Sequence, residues 1–152
     1  MTTTELLTAI RDALAADTTI SEWCTSEFSK SPTIFLGLDQ QNPPPEGDYP
    51  LIAILGVEQV RGDTNRDLEW NISLGVGVIN SEIVTSGVKK TATGFLQCET
   101  LRELVENAVY RARIVPMESA GEASTVSYHP IYIGFSRITA SKPKSTRRGL
   151  PG

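Results

Sequence analysis

The sequence predicts an α+β fold: a four-stranded, mostly antiparallel sheet with two helices packed on one face. Three observations predict it. Leu68 to Val78 alternates without exception, with Leu68, Trp70, Ile72, Leu74, Val76 and Val78 on one side and Glu69, Asn71, Ser73, Gly75 and Gly77 on the other. That period of two is a strand with a single core face. Two other stretches carry apolar residues at helical spacing, Leu6, Leu7, Ile10 and Leu14 in one, and Phe95, Cys98, Leu101, Leu104, Val105, Ala108, Val109 and Ala112 in the other. Each gives one apolar stripe, so each helix has one side to bury. The chain has 152 residues, 39% hydrophobic and 21% charged, which suits one domain with an ordinary core.

The first helix is expected over Thr4 to Ala16, capped by Thr3 or Thr4, with Glu5 opposing the dipole in the first turn. Asp17-Thr18-Thr19 ends it. Ile20, Trp23, Cys24 and Phe28 then sit at helical spacing and suggest a short second helical turn, which Ser31-Pro32 breaks. Thr33 to Leu36 reads as a short strand. Pro43, Pro44 and Pro45 cannot donate ladder hydrogen bonds, so residues 40–50 read as loop, with turn chemistry at Glu46-Gly47-Asp48.

Leu51 to Val60 is a strand with apolar residues on both faces, as a central strand has. Arg61 to Asp67 is a polar hairpin tip leading into the strand Leu68 to Ile79. Ile83, Val84, Thr85 and Val88 suggest a flexible hairpin that extends the sheet, with Ser86-Gly87 at its tip and Lys89 and Lys90 on the return limb. The long helix runs from about Thr93 to Val115 and stops at Pro116. Its outer face holds Arg102 and Glu106 as an opposed pair four residues apart, roughly cancelled by Glu99 against Glu103. Met117 to Ser124 reads as loop. Thr125 to Ala140 is the last strand, with Ile131, Ile133 and Phe135 on one face and Pro130 marking an edge or bulge. Residues 1–141 form the single domain, and 142–152 are a basic C-terminal arm.

Charge divides the same way. The chain has 14 Lys+Arg and 18 Asp+Glu, a net of −4. The arm holds Lys142, Lys144, Arg147 and Arg148 and no acid, which leaves ten bases against eighteen acids, or −8, in the rest. An acidic body repels duplex DNA. No apolar run approaches the ~20 residues that cross a bilayer, and the N-terminus lacks the basic and apolar regions of a signal peptide, so a cytosolic origin is expected. Cys24 and Cys98 are expected as free thiols.

No motif nominates an enzyme. His129, the single histidine, lies in a Tyr-His-Pro strand segment with no ligand cluster or nucleophile beside it in sequence. Gly75-Val76-Gly77 lacks the third glycine and following helix of a dinucleotide loop. Arg61-Gly62-Asp63 is turn chemistry, and Asn71-Ile72-Ser73 falls inside a strand, so neither reads as an adhesion or glycosylation signal. The carboxylates Glu58, Asp63 and Glu69 read as solvated surface charge. No cofactor or metal is expected.

The order helix, hairpin, long amphipathic helix and terminal strand resembles the tail terminator, or tail completion, proteins of long-tailed phages. The likeness lies in Tyr49-Pro50-Leu51-Ile52-Ala53-Ile54 entering the sheet, the charged hairpin after it, the helix Leu101-Arg102-Glu103-Leu104-Val105 and the closing strand Ile131 to Ile138. It is architectural and covers most of the chain. The resemblance implies a virion protein of the tail or neck, made in the host cytoplasm. It implies a ring of copies, usually a hexamer, that caps the tail tube, stops its growth and meets the head connector, while DNA passes through unread. On that reading Arg61, Asp63 and Arg66 of the hairpin tip, Lys89 and Lys90, and Lys142, Lys144, Arg147 and Arg148 of the arm are contact residues for sister copies, tube protein or connector. The alternatives are another neck or connector component, or a nucleic-acid accessory protein using the arm, although the arm has no interleaved aromatic residues to stack on bases.

Overall fold

The computed structural model describes residues 1–39, 41–61 and 68–142. The α+β class holds, but the four-stranded sheet with two helices does not. Among the described residues there are three helices, a five-stranded mixed sheet and a separate two-stranded sheet.

Helix α1 spans Thr3–Ala16 and buries Leu6, Ile10 and Leu14. Its cap is Thr2, one residue earlier than expected. The Glu5 N–H donates to Thr2 Oγ1 (3.1 Å), and the Thr2 N–H donates to Glu5 Oε1 (2.8 Å), a reciprocal capping box. Thr2→Ala removes the hydroxyl acceptor and is expected to cost about 1 kcal/mol, read as a lower urea midpoint with an unchanged slope. Asp17 ends α1 and at once caps α2, Thr18–Phe28, by accepting from the Ile20 N–H at 2.9 Å. The expected short helical turn is therefore an eleven-residue helix, stopped at Ser29 with φ 63°. Helix α3 spans Thr93–Ala112 and ends on Arg113, also left-handed at φ 51°.

The main sheet has the order β1 (Thr33–Leu36), β2 (Leu51–Arg61), β3 (Leu68–Ile79), β7 (Ile131–Ser141), β6 (Met117–Tyr128). β1 runs parallel to β2, and the other neighbours are antiparallel. The small sheet is the hairpin β4 (Ile83–Ser86) and β5 (Lys89–Ala92), which stands apart instead of extending the main sheet. The fifth main strand comes from the stretch read as a single last strand and the loop before it. Pro130 sits in a turn between β6 and β7, and Met117 to Ser124 is strand. β6 is an outer strand whose Glu, Ser, Ala and Gly side chains are mostly exposed, so it carries no burial pattern to read.

Helix α3 lies over β3, β7 and β6, α1 lies beside α3 and against β1, and α2 packs on α3. One cluster forms the core. It joins Leu6, Ile10, Ile20, Cys24, Leu101, Val105 and Val109 of the helices to Ile52, Ile54, Trp70, Ile72, Leu74, Val76, Tyr132 and Ile138 of the sheet. The β3 alternation is as expected. On β7 the face is the reverse of what Ile131, Ile133 and Phe135 suggest: Tyr132, Gly134, Ser136, Ile138 and Ala140 are buried under α3, and Phe135 is exposed.

The mixed character of β2 has a local cause. The pairing with β3 shifts between Ile54 and Gly56, which leaves Leu55 as a bulge. The extra residue resets the alternation. Ile52 and Ile54 face the core before it and Val57 after it, so Glu58 stays on the outer face opposite Asn71.

Candidate interaction surfaces

The outer sheet face is the first surface. No helix among the described residues covers it, yet it is not the open glycine strip that Gly75 and Gly77 suggest. A Cβ on Gly75 would meet Leu55 Cδ1 at 2.9 Å, and one on Gly77 would meet Tyr49 Cε2 at 2.8 Å. The bulge aims Leu55 across β3, and the chain entering β2 lays Tyr49 beside it. The glycines make room for those side chains and not for a partner's backbone. Leu55 and Tyr49 then form, with Leu38, Pro44, Ile133 and Phe135, the walls of an apolar groove of about 220 Å³. Leu55 is 37% and Phe135 40% exposed. The loop over one end of the groove, Gly37 to Pro50, carries Asp39, Glu46 and Asp48 and no base, while Lys30 reaches the Gly47 carbonyl from the end of α2. The Asn42 side chain and the Gln41 N–H hold the Asp39 carboxyl below the usual carboxylate range.

The β4–β5 hairpin is the second surface. It follows Ile79 and feeds α3, and all residues from Ser81 to Thr91 are exposed. A two-stranded ribbon alone is marginal in water, so its base needs anchors. The Asn80 side chain donates to Gln97 Oε1 (2.8 Å) and accepts the Glu82 N–H (2.9 Å), and Gln97 donates on to Glu27 (3.1 Å). Thr93 closes the base, its hydroxyl donating to Glu82 Oε1 at 2.6 Å and its N–H to the Glu82 carbonyl at 3.2 Å. Lys89 and Lys90 lie on β5, exposed. Beside the base, Phe95 and Leu96 of the first turn of α3 are also exposed.

The third surface is the opposite end of β3, roughly 35–40 Å away at about 3.3 Å per residue. Arg61 ends β2 opposite Leu68, and the Lys142 N–H donates to the Leu68 carbonyl at 2.9 Å. The sites therefore fall into two groups at the two ends of the sheet: Arg61 with Lys142, and Lys89 with Lys90. Asp63, Arg66, Lys144, Arg147 and Arg148 lie outside the described residues.

Groups that could suggest chemistry have structural partners. Arg102 is held by Glu99 (2.9 Å) and Glu106 (3.2 Å), and Thr125 of β6 donates to Glu99, so the cluster ties α3 to the outer strand. Thr125 and then Arg102 hold the Glu99 carboxyl below its ordinary value. Its contribution is thus present above the unfolded carboxylate range and is lost as pH falls through the lowered value. Burial pushes the Cys24 and Cys98 thiols up to about 12, which leaves them poorly reactive. Exposed His129 sits 3.0 Å from Tyr132 Oη. Among the described residues no group of three or more His, Cys, Asp or Glu could hold a metal ion, and no helix is long and apolar enough to cross a membrane.

Sequence reasoning placed Lys89 and Lys90 on the return limb of a hairpin, where they are found. It missed the groove. The signal was the apolar residue at every position from Leu51 to Leu55, which a strand with one buried face does not need. No protein-family model matches the chain, and no curated protein matches it.

Proposed function

We propose that this chain is a structural assembly protein of a long-tailed phage or phage-like particle, forming a ring that caps the tail tube and joins it to the head connector. The observation that carries the reading is the presence of two unlike apolar surfaces on one chain. The anchored hairpin leaves Ile83, Val84 and Val88 in water, and the outer sheet face leaves Leu55 and Phe135 there. Two unlike surfaces meet head to tail, and head-to-tail contacts close into rings when the rotation closes. The net −8 of residues 1–141 supports the same reading, because a like-charged wall does not grip a passing duplex.

Sedimentation velocity and electron microscopy of the full chain are expected to give a discrete ring of one size that binds the ends of tail tubes. A chain that stays monomeric at high concentration and ignores tube ends counts against the reading. Duplex binding that weakens steeply with salt and vanishes on removal of residues 143–152 would favour the nucleic-acid accessory role instead.

A further inference from the structure

The tip of the hairpin arm is chemically out of place. Two-residue hairpin turns favour Gly, Asn, Asp and Ser, which supply the required backbone angles and face water. Gly87 meets the angular need with φ 64°. The other turn position is Val88, a β-branched residue whose side chain is 99% exposed. Folding of this chain draws nothing from it. The arm beneath is not loose, because Asn80, Gln97, Glu82 and Thr93 fix its base. The molecule thus holds an apolar knob on an anchored stalk, with Lys89 and Lys90 directly behind it.

The groove on the outer sheet face has the opposite character. Its walls are Leu55, Tyr49, Ile133 and Phe135, nearly all apolar, and its volume of about 220 Å³ has room for an aliphatic side chain. The loop at its end carries Asp39, Glu46 and Asp48, with Lys30 at the Gly47 carbonyl, and Arg137, which follows Phe135 on the outer face, is paired with Glu122. Knob and basic flank therefore match the groove and the acidic loop beside it in both polarity and charge.

We propose that the Val88 tip of one copy seats in the groove between Leu55 and Phe135 of a second copy, which brings the basic limb Lys89–Lys90 beside the acidic loop. This rests on the ring reading and names its contact between neighbours. The contact joins unlike surfaces, so each copy offers one tip and one groove, as a head-to-tail ring requires. A tip and a groove alone are small beside the roughly 800 Å² per partner of a standard interface. Val88 is then the central anchor, and Ile83, Val84, Phe95 and Leu96 supply flanking area.

The test uses full chains. Val88→Asp changes a residue that is 99% exposed, so the melting temperature is expected to stay unchanged. The concentration at which the assembly half-dissociates is expected to rise at least about thirtyfold, the effect of losing one central anchor. Separately prepared Val88→Cys and Phe135→Cys chains are mixed and treated with a short bis-maleimide. The native thiols are buried, so they do not compete. A cross-linked pair that forms in the mixture, and in neither variant alone, is the expected result. Cross-linking of Val88→Cys with itself overturns the proposal, because tip then meets tip. Dispersal by Val88→Asp without the mixed cross-link also overturns it, because the tip then docks elsewhere. A Val88→Asp assembly of wild-type size with no mixed cross-link overturns this contact and leaves the ring reading standing. Wild-type chain that never assembles removes both. Binding of wild-type monomer to anionic lipid vesicles, lost in Val88→Asp, would assign the tip to a membrane and overturn the proposal too.

Discussion

Trp70→Ala is expected to lower the unfolding free energy by about 4 kcal/mol, within the range of about 3–5 found when a core Phe or Trp becomes Ala. Trp70 is 1% exposed and is among the largest fully buried side chains. Its ring lies in the central cluster, and its indole N–H donates to Thr3 Oγ1 at 2.9 Å. The same hydroxyl accepts from Gln59 Nε2 at 2.9 Å, so β2 and β3 together pin the first residue of α1. Alanine leaves a cavity and cuts one of those two ties. Total stability of a domain is roughly 5–15 kcal/mol, so the loss is a large share of it. At a slope of about 2 kcal/mol per molar urea, the circular-dichroism midpoint is expected to fall by about 2 M. Trp70→Phe keeps most of the aromatic volume and loses the N–H, and is expected to cost about 1–2 kcal/mol. A Trp70→Ala midpoint within experimental error of wild type would refute the placement of this ring.

Gly94→Ala carries the second large effect, and its sign tests the packing directly. Gly94 is in the first turn of α3, where helix propensity alone favours alanine by up to about 1 kcal/mol. The structure demands the opposite. An added Cβ would meet Tyr132 Cδ2 and Cε2 at 2.6 Å and Asn80 Cβ at 3.1 Å. Tyr132 is 2% exposed, and His129 holds its hydroxyl, so the ring cannot simply turn away. Overpacking of this kind costs about 1–3 kcal/mol. A net loss of about 2 kcal/mol is expected, seen as a melting temperature lower by about 4–8 °C. Because Asn80 also holds the hairpin base, proteolysis within 81–92 is expected to quicken in the same variant. An unchanged or higher melting temperature would show that Tyr132 does not pack on α3 as described.

Much of the fold was legible in local pattern. The stripes of α1 and α3 and the alternation of β3 each repeat with the period of their own element, and each buries most of the side it indicates, although the α3 stripe leaves its ends, Phe95 and Ala112, exposed. The hairpin with Lys89 and Lys90 was readable from Ser86-Gly87 set between Ile83-Val84-Thr85 and Val88. Other elements had no such mark. β6 contains Ser119-Ala120-Gly121-Glu122, which lacks β-branched residues and bulges at Gly121, so only its pairing with β7 makes it a strand. On β7 apolar residues occupy both faces near its start, and Ile131, Ile133 and Phe135 looked the stronger set. Pairing across β3 reverses the choice, because Tyr132 aligns with Val78 and Ile138 with Ile72, both already committed to the core.

The candidate surfaces divide in the same manner. The acidic body and the basic residues of the hairpin and arm are properties of the chain itself, since charge is read residue by residue. The groove is not. It exists because a bulge at Leu55 turns one side chain over Gly75 and because Tyr49, Ile133 and Phe135 arrive from distant positions. By itself, then, the sequence determined which residues share a face and where the charges lie, because periodicity and charge are local. Only the tertiary structure decided which face the helices cover and where unlike surfaces stay bare, because those follow from register between strands far apart in the chain.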